Sequence, residues 1–289
     1  MSALELFHPL IRKWFSQRLG PPTEVQERAW PVISNGSHVL VTAPTGSGKT
    51  LTAFLWAVHR MLSGQLSTGS IRVLYISPLK ALNNDMRQNL LTPLEELRNL
   101  AAGENTDLPR ISVAVRSGDT PPGRPPEIFI TTPESLNILL TSGQGEKLFG
   151  NLAVVILDEV HAVVSQKRGT LLITAVERLV PICGEFQRIA LSATVRPLEV
   201  VARFVGGYRM RGSGKTVVYE ERPVSTIRVL QGKQYAISVC AAAEADPAAA
   251  VANPTAAEAD PAAAEAAEAG GKTTDNTTGN VATGNTAAG

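Results

Sequence analysis

At 289 residues, 44% of them hydrophobic, the chain can bury a real core as one large domain or two small ones. Its formal charge of +1 excludes no class of partner, but no apolar stretch is long enough to span a bilayer, so no membrane association is expected. Two cysteines without metal-ligand spacing, Cys183 and Cys240, exclude a zinc framework or a disulfide scaffold and fit a reduced, cytoplasmic setting. Met1 to Pro9 shows no basic segment leading into an apolar core, so no secretory signal is expected.

Residues 3–19 set apolar Leu6, Leu10, Trp14, Phe15 and Leu19 among Arg12, Lys13 and Arg18, which predicts one helix ended by Gly20-Pro21-Pro22. Thr23 is the expected N-cap of a short helix carrying Val25, Gln26 and Trp30. His38 to Thr42 reads as an apolar strand, followed by Ala43-Pro44-Thr45-Gly46-Ser47-Gly48-Lys49-Thr50. A helical face of Leu51, Phe54, Leu55, Val58 and Leu62 comes next. Strand, Gly-rich turn and helix start are the context a phosphate-binding loop requires. Gly46 and Gly48 let several backbone N–H groups converge on one anion, and the helix N-terminus adds partial positive charge. Lys49 is then placed to reach the β- and γ-phosphates, and the Thr50 hydroxyl to complete a Mg²⁺ site. A turn that only joined strand to helix would have no need of the Lys-Thr pair.

Ile71 to Ile76 is a second strand, with a helix through Leu79, Leu82, Met86 and Leu90 that Pro93 should kink or restart. Ile111 to Val115 is a third strand. A Pro-rich turn, Pro121 to Pro126, leads to a fourth at Ile128 to Thr131, and Pro133 suits the first residue of the next helix. Leu152 to Leu157 is unbroken in its apolarity and should be buried on both faces. A helix over 170–180, a short strand at 189–191 and a helix from Pro197 to Gly206-Gly207 complete the pattern. Strands alternating with helices argue for an α/β fold, a parallel sheet covered on both sides.

Beyond Tyr235 the composition changes. The segment Ala243 to Ala250 repeats word for word at 257–264, and from Ala241 there is no Leu, Ile, Met or aromatic residue. Such a stretch cannot bury enough apolar surface to offset its ordering entropy, so 241–289 is expected to be a disordered tail, with 208–240 an extended segment or linker. The tail holds seven acidic residues against one basic. Residues 1–240 therefore hold 26 basic and 19 acidic residues, a balance compatible with a polyanionic partner.

Asp158-Glu159-Val160-His161 stands at the C-terminal end of the buried strand, the edge where parallel α/β sheets keep their active sites. Two adjacent carboxylates there can divide the labour: Asp158 holds Mg²⁺ through its shell, and Glu159 orients or deprotonates the attacking water.

With these residues in view, the chain resembles the first RecA-like domain of a superfamily 2 helicase of the DEAD/DEAH-box group, and within it the Lhr (large helicase-related) proteins. Gly20 to Gln26 matches the Q motif, Ala43 to Thr50 motif I, and Pro78-Leu79-Lys80-Ala81-Leu82 motif Ia. Thr131 to Leu136 matches the next nucleic-acid motif, Asp158 to His161 motif II, and Ser192-Ala193-Thr194 motif III. The Lhr-like character lies in Arg116 to Thr120, Leu157 to Val163 and Leu191 to Glu199. The resemblance implies a RecA-like P-loop NTPase domain over 1–207 with ATP and Mg²⁺ as cofactors. It further implies that Gln26 reads the adenine edge and that Pro78, Lys80, Ala81, Thr132 and Pro133 grip single-stranded DNA or RNA. His161, Ser192 and Thr194 would couple the γ-phosphate site to movement on the strand.

Nothing between 208 and 289 resembles the second RecA-like domain, which supplies catalytic arginines in complete helicases, so the chain is expected to be truncated, monomeric and a poor ATPase alone. The alternative is a non-catalytic nucleic-acid-binding or regulatory remnant; a P-loop kinase would leave motifs Ia and III without a job. Gly212-Ser213-Gly214-Lys215-Thr216 repeats the letters of the phosphate loop, but a basic stretch precedes it and Val217-Val218-Tyr219 follows, so a surface turn is expected.

Overall fold

The computed structural model describes residues 2–78, 90–115, 125–143, 145–193, 195–212 and 216–230, all within one compact unit, Met1–Tyr235. The expected helix start at Leu79 to Met86, the Arg116 to Thr120 segment, Thr194 and the low-complexity tail lie outside the described residues.

The helix expected over 3–19 is two elements. A 3-10 turn, Ala3–Leu6, is followed by α1, Pro9–Arg18. Pro9 has no N–H to continue a helix and forces His8 into extended geometry, where its ring accepts from the Leu10 N–H at 3.3 Å and caps the new start. Helix α2, Glu24–Ser34, opens with the Thr23 cap as expected. Thr23 and Gln26 form a reciprocal box: each side chain takes the other's backbone N–H.

Strand β1 is His38–Thr42, and α3, Lys49–Leu62, follows the glycine turn. Next come β2, Val73–Ile76; α4, Thr92–Gly103, with Pro93 in its first turn; β3, Val113–Val115; and β4, Ile128–Thr131. Helix α5, Pro133–Thr141, starts on its proline, and α6, Gly145–Phe149, is a short addition. Then follow β5, Val154–Leu157; α7, Lys167–Cys183; β6, Gln187–Ser192; and α8, Leu198–Gly206.

Seven strands form one parallel sheet in the order β3-β4-β2-β5-β6-β1-β9, where β9 is Val224–Arg228. Period-2 alternation divides the strand side chains between two cores. Val39, Val41, Val73, Tyr75, Ile156 and Leu191 face α1 to α4, whereas Leu40, Leu74, Ile76, Leu157 and Ala190 face α5, α7 and α8. Both faces are therefore covered, and β2, β4 and β5 are buried at every position, as a two-sided parallel sheet demands.

The segment after Gly207 does more than extend. Strands β7, Tyr208–Arg211, and β8, Val218–Glu221, pair antiparallel as an exposed hairpin. The second Gly-Ser-Gly-Lys-Thr stretch falls in sequence between these two strands; exposed β7 precedes it and exposed β8 follows, and its residues 213–215 lie outside the described residues. Strand β9 then enters the main sheet beside β1, with Val224 paired to His38 and Arg228 to Thr42.

Candidate functional site

Three strand ends meet at the C-terminal edge of the sheet's centre: β1 leads into the glycine turn, β5 into Asp158-Glu159, and β6, which lies between them, ends at Ser192. Gly46 and Gly48 sit at φ of +77° and +86°, a region that L side chains avoid. At Gly48 there is a second constraint, because a Cβ would come within 2.9 Å of Gln26 Nε2. The α2 start is docked on this loop: the Thr23 hydroxyl donates to the Ser47 carbonyl at 2.9 Å, and Gln26 is 3% exposed. Gln26 Oε1 is engaged by the Thr23 N–H at 2.9 Å, so its Nε2 is the end that faces the loop.

Ser47 Oγ closes the turn onto the Pro44 carbonyl at 2.7 Å, while Thr45 and Gly46 are exposed at its tip. Lys49 is buried at the start of α3, its ammonium donating to the Ala43 carbonyl at 2.6 Å and to that of Pro44 at 2.9 Å. Burial lowers the Lys49 pKa, and the Glu159 and Asp158 carboxylates oppose that shift. The cation and the two anions thus face each other across one sheet edge. Thr50 is half-buried in the same first turn.

Asp158 is 8% exposed, and burial pushes its carboxyl above the usual carboxylate range. Its Oδ2 accepts the Tyr75 hydroxyl and its Oδ1 the Glu159 N–H at 2.9 Å; both contacts favour the charged form and offset part of that shift. Tyr75 stacks on Phe54 of α3 at 4.9 Å, which fixes the ring that orients Asp158. Glu159 is held at φ +50°, ψ +42°, a left-handed conformation that costs a non-glycine residue about 1–3 kcal/mol. The turn points its side chain toward His161, with Oε2 at 3.0 Å from Nδ1.

The same His161 nitrogen lies 3.2 Å from the Ala193 N–H. It can serve one partner at a time: bare, it accepts from Ala193; protonated, it donates to Glu159. Ser192 is fully buried, its hydroxyl has no hydrogen-bond partner among the described residues, and its carbonyl accepts the Ala43 N–H at 3.2 Å. Among the described residues, the expected coupling group is therefore brought together with both the carboxylates and the glycine turn. Thr194 lies outside the described residues.

The second group of predicted residues lies on the adjoining strand ends, β2 and β4. Ser77 donates its N–H to the Thr131 carbonyl at 3.1 Å, and Thr132 caps α5 through the Ser135 N–H at 3.3 Å. Pro78 and Pro133 are buried beside them; Lys80 and Ala81 lie outside the described residues. Sequence reasoning missed Tyr75 and Arg168. Arg168 Nε meets Glu134 Oε1 at 2.7 Å, and its Nη2 donates to the Pro78 carbonyl at 3.0 Å. Hydrogen bonding and charge from Arg168 hold the Glu134 carboxyl below the usual carboxylate range.

The pattern of the DEAD/DEAH box helicases matches residues 23–202, which takes in every described group above. The chain belongs to the DEAD/DEAH box helicase family. Over 211 residues this helicase domain is 49% identical to the Lhr helicase/probable uracil glycosylase of Mycolicibacterium smegmatis, a match covering 70% of this chain and 14% of that protein. It is 46% identical over 214 residues to the ATP-dependent helicase Lhr-Core of Methanothermobacter thermautotrophicus, covering 70% of this chain and 25% of that one. The domain therefore spans a quarter or less of the length of these curated relatives. The structure of Mycobacterium smegmatis helicase Lhr bound to ssDNA and AMP-PNP superposes with a TM-score of 0.70 at 42% identity, covering 80% of this chain and 29% of that chain. The DEAD-box helicase Mss116 bound to ssRNA and UDP-BeF, at 16% identity and a TM-score of 0.59, shares the fold alone. No helix among the described residues is long and apolar enough to cross a membrane.

Proposed function

We propose that this helicase domain binds ATP with Mg²⁺ at the β1–β5–β6 edge and single-stranded nucleic acid at the β2–β4 edge, as the first half of an ATP-dependent helicase. The observation that carries the reading is the encounter of Lys49 with Asp158 and Glu159 across one sheet edge, beside a turn whose glycines adopt left-handed geometry. Backbone N–H groups of Gly46 to Lys49 and the N-terminus of α3 suit a polyphosphate. Hard oxygen donors suit Mg²⁺, and the Asp158 carboxylate and Thr50 hydroxyl are the groups that would hold it. The cation would neutralise charge developing on the transferring phosphoryl group. Glu159 would orient or deprotonate the attacking water, and its strained backbone keeps it beside Asp158. His161 would report the state of Glu159 to the Ser192-Ala193 turn. Gln26 would meet the base through its amide.

The relatives support nucleotide and single-strand binding by analogy: the Lhr structure carries both ligands. A second RecA-like domain would supply the remaining phosphate contacts, so hydrolysis by this chain alone is expected to be weak. Calorimetry of Mg·ATP binding to the wild type and to Lys49→Ala tests the reading. Loss of a charged contact to phosphate should weaken binding by about 10- to 100-fold. Equal affinity in the two proteins would instead favour a non-catalytic module.

A further inference from the structure

We propose that Arg168 is a positioning residue for the nucleic-acid edge: one guanidinium ties the chain leaving β2 to the first turn of α5. The proposal rests on the nucleic-acid reading above and goes beyond it by naming what holds that surface in register.

Pro78 leads toward Lys80 and Ala81, and Glu134 follows Thr132 and Pro133 directly. These two segments come from different strand ends and need a fixed spacing if successive phosphates are to lie across both. Arg168 provides it. Its Nη2 donates to the Pro78 carbonyl at 3.0 Å, while its Nε meets Glu134 at 2.7 Å. A planar fork with several donors in fixed directions can satisfy both partners at once, whereas a lysine ammonium at the end of a flexible stem cannot hold that geometry.

The position of Arg168 is itself imposed. Gly169 follows it, and a Cβ there would fall 2.3 Å from the Val163 carbonyl oxygen. The first turn of α7 therefore presses directly on the backbone just after the Glu159–His161 turn. A short run of chain thus links the nucleotide carboxylates to the tether. Further along, Asn137 donates to the Leu171 carbonyl at 3.2 Å, so α5 is anchored to α7 by a second contact, and its body does not depend on Arg168 alone.

The charge of Arg168 is matched by Glu134, so it acts on phosphates through Pro78 and α5 and not by direct contact. The Arg168 and Glu134 side chains are 41% and 44% exposed, and pairs so placed contribute little to stability. The effect belongs in binding.

The test uses the full chain with fluorescein-labelled oligo(dT) and oligo(U), read by polarisation over a series of salt concentrations, alongside calorimetry with Mg·ATP. Arg168→Ala should weaken oligonucleotide binding by about five- to tenfold, with the salt slope, the melting temperature and the ATP affinity unchanged. Arg168→Lys should not rescue it. The proposal is overturned if Arg168→Ala binds as well as the wild type, if Arg168→Lys restores full affinity, or if the salt slope falls by about 0.7, which marks a direct phosphate contact. If the wild type binds neither oligonucleotide, the nucleic-acid reading fails and takes this proposal with it. Wild-type binding with an indifferent Arg168→Ala overturns the proposal alone.

Discussion

At the N-terminal edge of the sheet, Arg188 is fully buried and Arg222 is 3% exposed, and both share the Glu177 carboxylate. Arg222 also grips Glu185 through two nitrogens, at 2.9 and 3.0 Å. Arg209 meets the same Glu185 at 3.4 Å, so each carboxylate here is held by two arginines, and carbonyls of Val205 and Gly206 take further donors from Arg188 and Arg222. At the C-terminal edge the balance differs. Asp158 and Glu159 are neighbours of like charge, and the ammonium of Lys49, the cation that acts on both, is bonded to backbone carbonyls. Carboxylates gripped by arginines hold elements together; carboxylates that no arginine grips mark where chemistry can be done. The N-terminal cluster clamps α7, α8 and the approach to β9, which in turn lies along β1 and bonds the Val229 N–H to the Thr42 carbonyl at 2.9 Å. One edge thus braces the strand that presents the glycine turn at the other.

The largest effect expected from breaking this contrast is on stability. Glu177→Ala leaves the fully buried Arg188 without its carboxylate and should cost about 3 kcal/mol in denaturant unfolding, the lower end for a broken buried pair because Glu177 is itself 35% exposed. A loss under about 1 kcal/mol would mean that the backbone carbonyls suffice and that the two edges differ little.

A smaller change is expected from Tyr75→Phe, which keeps the stacking on Phe54 and removes the hydroxyl from Asp158. It should lower stability by about 1 kcal/mol and raise the Mg²⁺ concentration needed for tight ATP binding, with ATP binding in chelator unaffected. An unchanged Mg²⁺ requirement would show that Asp158 is oriented without Tyr75.

The smallest effect concerns pH. His38, at the braced edge, and His59 are both lowered to about 4, chiefly by burial. Their folded pKa lies below the unfolded value near 6.5, so the unfolded chain takes up protons first as pH falls. Stability from these two groups is complete above that value and is lost progressively toward pH 4. His38→Asn keeps an acceptor for the Arg188 N–H, now 3.1 Å from Nδ1, and should flatten the decline of melting temperature in that window.

Much of the site was legible because its parts are local. Gly46 and Gly48 announce backbone that only glycine tolerates cheaply, and Thr23 with Gln26 announces a cap, each within a few residues of chain. Leu152 to Leu157 declared a buried strand by composition alone. Where reading faltered, local signals were weak or misleading. Apolar spacing over 3–19 is continuous, yet Pro9 divides it. Strand β9 offers only Val224 and Ile227 as apolar residues after Pro223, too little to foresee a place beside β1. Tyr75 looks like any core aromatic on a strand, and Arg168 like any solvated residue at a helix start.

The sequence by itself determined where strands end, where the backbone must turn through left-handed geometry, and which side chains stand at each strand end. Those properties follow from torsional preference and from periodicity, which act over a few residues. Tertiary structure alone decided that β6 would lie between β1 and β5, bringing Lys49 to the carboxylates, that Tyr75 would reach Asp158 across 83 residues, and that Arg168 would reach Pro78 across 90. Such partners are chosen by which faces bury one another when the sheet assembles, and no local preference encodes that choice.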